Sequence, residues 1–226
     1  ASLETTALKT DADILFVGAV GEEGLGDLRG VRALFGPDGP DVDAAVVIDG
    51  GPLGWIVNQS VGSVRYRVTF KGPGGHSYGS FGRAHPHQAL ADAINRFSAA
   101  ARAITGMPGP KTTFSVGRIG GGTSINSIPF ESWMEVDMRS VDPDRMALLD
   151  AALHAAVEQA LVAENSLAVD DSEVTAVLES VGQRPAGMTV PESPIVQRAL
   201  ESLLAMDVSG RLTASSTDAN IPLSLG

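Results

Sequence analysis

Two adjacent carboxylates, Glu22 and Glu23, stand in the glycine-rich stretch GEEGLG. They follow the apolar run DILFVGAV, Asp13 to Val20, whose unbroken hydrophobicity predicts a strand buried on both faces. Open α/β sheets place their ligand sites beyond the carboxyl ends of such strands. In a tight turn, neighbouring carboxylates can point apart, so that one binds a metal while the other takes a proton from metal-bound water. The pair equally suits a solvated acidic turn before a helix N-terminus, where negative charge is favoured. Asp49 repeats the arrangement at the end of a second apolar run, AAVVID. Its plainer reading is an Asx-turn residue opening the GGPLG loop. Oxygen donors of this kind, joined by imidazoles, suit zinc, manganese or cobalt.

A second set of polar residues lies further along. His76 sits in GPGGHSYGSFG, where glycines let backbone approach a ligand closely. The same stretch contains Gly75-His76-Ser77-Tyr78-Gly79, formally the G-x-S-x-G of a serine hydrolase with Ser77 as nucleophile. A nucleophile elbow follows directly on a buried strand, whereas this loop follows an alternating one. The histidines that could serve Ser77 as base are His85 and His87, flanking Pro86 at a helix start, and His154 within a helix. Asn126 in GGGTSINSIP reads as turn chemistry. Arg139 in EVDMRS reads either as a strand-end surface charge or as a bidentate clamp for a substrate carboxylate. Asp218 in SSTDAN either caps the next helix or supports a site from behind.

Composition narrows the field. The chain has 226 residues, a net charge of −11 and no cluster of basic residues, which argues against a nucleic-acid partner. No apolar run approaches membrane-spanning length, so no membrane partner is expected. There is no cysteine, so disulfides, thiolate metal sites and a cysteine nucleophile are excluded. The default location is the cytoplasm.

The elements that must position these residues fall into two groups. Strands at 13–20 and 44–49, a short helix at about 27–35, a helix at 194–206 and a strand at about 211–214 predict a parallel α/β sheet. Between them, 64–71 alternates as VRYRVTFK, the mark of a half-exposed antiparallel strand. Helix 86–104, strands 112–119 and 131–139, helix 143–164 and strand 173–181 complete a β-α-β-β-α-β order, the ferredoxin-like pattern. The expected organisation is one α/β domain, 1–61 and 187–226, interrupted by a ferredoxin-like domain at 62–186. Three strands are too few to bury the outer sheet, so that domain is expected to be truncated at both ends.

Taken together, GEEGLGDL, VIDGGPLG, GPGGHSYGSFGRAHPHQAL, GGTSINSIP, EVDMRS and SSTDANIP resemble, in order, the zinc metallopeptidase family of tripeptide aminopeptidase, carboxypeptidase G, succinyl-diaminopimelate desuccinylase and aminoacylase. The wording is closest to the tripeptidase-like branch. The resemblance implies two zinc ions per active site, with cobalt or manganese as substitutes, and hydrolysis of a peptide or N-acyl amino acid amide bond. It implies Glu22 as general base, Glu23 and Asp49 as metal ligands, and Asn126 and Arg139 as substrate-binding residues. His76 would stabilise the oxyanion in the partner subunit's site, the inserted domain being a lid that forms a homodimer. The family's remaining metal ligands should precede Ala1 and follow Gly226, so these 226 residues are expected to be inactive alone. The rival expectation is a non-catalytic dimerisation module.

Overall fold

The computed structural model describes Thr5 and residues 9–226. Its central feature is a four-stranded antiparallel sheet built from β2 (Gly62–Lys71), β4 (Thr112–Gly121), β6 (Glu131–Ser140) and β7 (Thr175–Arg184). The strand order is β4-β6-β2-β7. With α2 (Pro86–Thr105) and α3 (Pro143–Asn165) on one face, this is the ferredoxin-like arrangement.

Alternation explains the sheet. Val68 and Phe70 of β2, with Met134, Val136 and Met138 of β6, point to the helices and are buried. Between them, Arg65 pairs with Asp137 and Arg67 with Glu135, each at 2.8 Å, on the opposite face. These pairs are directly cross-strand in the ladder, as the register requires. On α2, Ala89, Leu90, Ala93, Phe97 and Ala101 form one apolar stripe that completes the core. Helix α3 starts cleanly because Pro143 occupies its first turn and Asp142 accepts from the backbone N–H of Asp144 at 2.9 Å. Contrary to expectation, α3 is long and apolar enough to cross a membrane by length and composition. Its inner face, including Leu149, Leu153 and Val157, is packed in the core instead.

The outer part differs more from expectation. Residues 13–20 and 44–49 form no strand. Phe16 is 81% exposed and Ile48 95%. A strand exists only through its ladder bonds, and no described strand pairs with either run. The sheet that does form contains β1 (Trp55–Ser60), β8 (Gly187–Met188) and β9 (Arg211–Ser215), in the order β8-β1-β9. Here β1 and β9 are parallel, β1 and β8 antiparallel. Short helix α1 (Arg29–Leu34) packs through Val31 against Ile221 of α5 (Asn220–Leu225). Helix α4 (Pro194–Leu204) begins at Ser193-Pro194.

The chain passes between the two sheets twice, at Val61 and at Pro185. A single buried amide holds both crossings: Asn220 Nδ2 donates to the carbonyls of Val61 and Pro185, each at 2.9 Å. Asn220 Oδ1 accepts from Thr217 N at 2.8 Å, which fixes the amide's orientation.

Candidate functional site

The loop carrying Glu22 is closed by its own backbone. Leu28 N donates to Gly21 O, and Gly30 N to Val20 O, each at 3.0 Å. Gly21 has φ +72°, and a Cβ on Gly26 would fall 2.5 Å from Gly21 O, so both glycines are required. Glu22 faces inward against Arg184, the last residue of β7. Arg184 Nη1 donates to Glu22 Oε1 at 2.7 Å and to Ser216 Oγ at 3.1 Å, while Nη2 donates to the Glu22 carbonyl. The Arg184 side chain is only 6% exposed. Glu23 and Asp49 are exposed. Asp49 Oδ1 accepts from Gly50 N at 2.6 Å.

Asp218 follows the carboxyl end of β9, where parallel strands present ligand sites. It does not cap α5: its Oδ1 is buried without a hydrogen-bond partner. Burial raises its pKa, the negative charges of Glu22 and Asp49 raise it further, and Arg184 opposes them. Glu22, Asp49 and Asp218 therefore share one local field. Asp218 is a visible candidate in the sequence, whereas Arg184 is not, because the expected strand ends at 181 and an arginine three residues beyond it reads as a loop charge; the observed β7 runs on to Arg184.

His76 and Asn126 are brought together elsewhere. A two-residue ribbon pairs β3 (Gly75–His76) with β5 (Ser127–Ile128), and Ser77 N donates to Asn126 O at 2.9 Å. His76 Nδ1 accepts from Tyr78 N at 3.2 Å and from Gly79 N at 3.4 Å. That pattern assigns the proton of the neutral ring to Nε2, leaving an exposed donor suited to an oxyanion. Asn126 Oδ1 accepts from Ser124 Oγ at 2.5 Å. Ser77 is exposed, and among the described residues no hydrogen bond joins its hydroxyl to an imidazole. His87 Nδ1 is instead 2.7 Å from Ser132 Oγ, and His85 lies beside it with a pKa lowered by burial and by His87.

Arg139 donates through Nε to Asp137 Oδ2 at 2.7 Å. Burial pushes Asp137 up, but its hydrogen bonds and ion pairs with Arg139 and Arg65 outweigh this and hold it below the usual carboxylate value. In register, Ser63 of β2 faces Arg139 on one side and Arg184 on the other. Arg139 and the Glu22 loop thus share one end of the sheet. The ribbon of His76 and Asn126 extends from the other.

A metal pair fits these donors in kind but not in number. Asp218 has a buried oxygen without a partner, and the charges of Glu22 and Asp49 are near enough to raise its pKa. Among the described residues, however, no group of three or more His, Asp or Glu side chains is placed to hold a metal. Zinc sites of this class require imidazole ligands as well.

Residues 58–165 match the peptidase dimerisation domain of the M20 family. Over that segment the chain is similar to an M20 peptidase dimerisation domain. Solved structures extend the likeness in fold beyond that domain. A tripeptidase from Staphylococcus aureus superposes with TM-score 0.63 at 20% identity, over 90% of this chain and 51% of that one. Aminopeptidase PepT from Bacillus cereus gives 0.60 at 20% identity, with the same coverage. An amidase of the hydantoinase/carbamoylase family from Burkholderia vietnamiensis gives 0.60 at 19%, over 74% of this chain and 38% of that one. The chain therefore spans about half or less of the length of these proteins. No curated protein sequence matched the chain. The matched segment includes His76, Asn126 and Arg139, while Glu22, Glu23 and Asp49 lie outside it.

Proposed function

We propose that the intact protein is a metal-dependent hydrolase of a peptide or N-acyl amino acid amide bond, working as a homodimer through the ferredoxin-like lid at 62–186. The observation that carries this reading is the buried, unpartnered Oδ1 of Asp218 just past the carboxyl end of β9, in the field of Glu22 and Asp49, in a chain whose residues 58–165 match a peptidase dimerisation domain. Glu23 and Asp49 would contribute carboxylate ligands, and zinc is the proposed metal. When bound, a zinc pair supplies Lewis-acid polarisation of the amide carbonyl and of the attacking water. Glu22 would take a proton from the attacking water and pass it to the leaving amine. The Nε2–H of His76, contributed by the partner subunit, stabilises the oxyanion. Arg139 holds the substrate's free carboxylate, oriented by Asp137, and Asn126 reaches the same substrate from the partner subunit beside His76.

The test is Glu22→Gln in the intact protein, which keeps shape but removes the base. Metal content should be unchanged, and the rate should fall by about 10²–10⁴-fold. Loss of metal would make Glu22 a ligand instead, and unchanged activity would overturn the mechanism. A second reading, a dimerisation module without catalysis, is favoured by the matched domain itself, which contains none of the three proposed acids.

A further inference from the structure

Arg184 carries a buried charge that the proposed mechanism does not use. Its guanidinium is almost fully enclosed, at 6% exposure, and an arginine so placed needs a partner for its charge. That partner is Glu22, gripped at two atoms: one carboxylate oxygen and the main-chain carbonyl. Ser216 Oγ braces the guanidinium from the loop that leads to Asp218. Two neighbouring contacts tie the same strand end to the same loop and to helix α1 that follows it. Gln183 N donates to the Asp27 carboxylate at 3.2 Å, and Arg32 Nη2 donates to the Gln183 carbonyl.

We propose that Arg184 is the positioning residue of the proposed general base, fixing Glu22 through one carboxylate oxygen so that the other is presented to the attacking water; this rests on the hydrolase reading above. The bonds to Glu22 fall on Oε1 and on the carbonyl, so Oε2 is left for proton transfer. A carboxylate free to rotate spends part of its time misaligned, and small misplacements of a catalytic group are costly in rate. The fork geometry matters: one guanidinium reaches two acceptors on the same residue, which an ammonium matches poorly. Because Arg184 ends the last long strand of the lid sheet, the lid fixes the base from across the boundary between the two sheets.

The experiment compares Arg184→Met and Arg184→Lys in the intact, metal-loaded protein, each alone and combined with Glu22→Gln. Arg184→Met should lower kcat by at least about tenfold, with KM within about twofold of wild type and metal content unchanged. Arg184→Lys should recover part of that loss. In the Glu22→Gln background, Arg184→Met should have no further effect on the residual rate, because the residue it positions is already disabled. An equal loss in both backgrounds, or a raised KM at unchanged kcat, overturns the proposal. Should Arg184→Met fail to fold by circular dichroism, the folded Arg184→Lys decides: reduced kcat at unchanged KM supports the role, and wild-type kcat overturns it. If Glu22→Gln itself keeps full activity, the hydrolase mechanism falls. If Glu22→Gln is disabled while Arg184→Met retains normal kcat, only the positioning role falls.

Discussion

His76 and Glu22 should meet only across a dimer. The Glu22 loop is bound to Arg184, which is opposite Ser63 near the start of β2, whereas the His76 ribbon extends beyond that strand's far end. β2 is 10 residues long. At about 3.4 Å per residue its ends lie roughly 30 Å apart, far more than an imidazole spans. A lid cannot bring both of its ends to the same Glu22 loop, so under the proposed mechanism the His76 that serves a given Glu22 would come from a second copy. The perturbation is a pair of inactive intact proteins, His76→Ala and Glu22→Gln. Loss of the oxyanion donor alone should cost about 10²–10³ in kcat. After mixing equal amounts with random exchange, about half of the dimers are heterodimers, each with one intact site. Activity should therefore rise to about a quarter of wild type. The assay is hydrolysis of a small peptide or N-acyl amino acid, with exchange followed by mass-tagged subunits. Confirmed exchange without recovered activity would refute the reasoning and put His76 in its own subunit's site or outside catalysis.

Three further outcomes are expected. Phe97→Ala removes a fully buried ring that packs edge-on against Phe114 with centroids 5.4 Å apart; it should destabilise the protein by about 3–5 kcal/mol in chemical denaturation. A cost under about 1 kcal/mol would mean that the lid core is not organised around this ring. Asp142→Ala should cost about 1 kcal/mol through the lost cap of α3, seen as a shifted denaturation midpoint at unchanged slope. The 226 residues expressed alone should bind zinc weakly and hydrolyse no tripeptide, because among the described residues no three potential ligands are placed together to hold a metal; stoichiometric tight zinc by metal analysis would overturn this.

The lid was legible because its information is local. Alternation in VRYRVTFK and ESWMEVDMRS states which face is buried, and Asp142-Pro143 states where α3 begins. The outer part was not, because its information is in pairing. Runs such as AAVVID announce a need for burial but not a partner, and Val46 and Ile48 remain exposed. Conversely, β1 forms from WIVNQS, which lacks clear alternation, because β9 supplies a parallel ladder from far along the chain. At the site, Glu22 and Asp49 could be singled out as acids ending apolar runs. Their relation to Arg184 could not, since it joins positions 162 residues apart.

The amide of Asn220 has a consequence for how this chain can be rearranged. Because it holds Val61 and Pro185 at once, and Ser63 and Arg184 face each other in the ladder, the two ends of the inserted segment are immediate neighbours. Segment 62–184 should therefore tolerate excision as a free-standing unit, or cyclisation through a few added residues, without strain on its sheet. New termini could then be opened in the exposed 106–111 turn between α2 and β4, where no ladder is cut. The remaining outer part could be closed by a linker short enough to replace one peptide crossing.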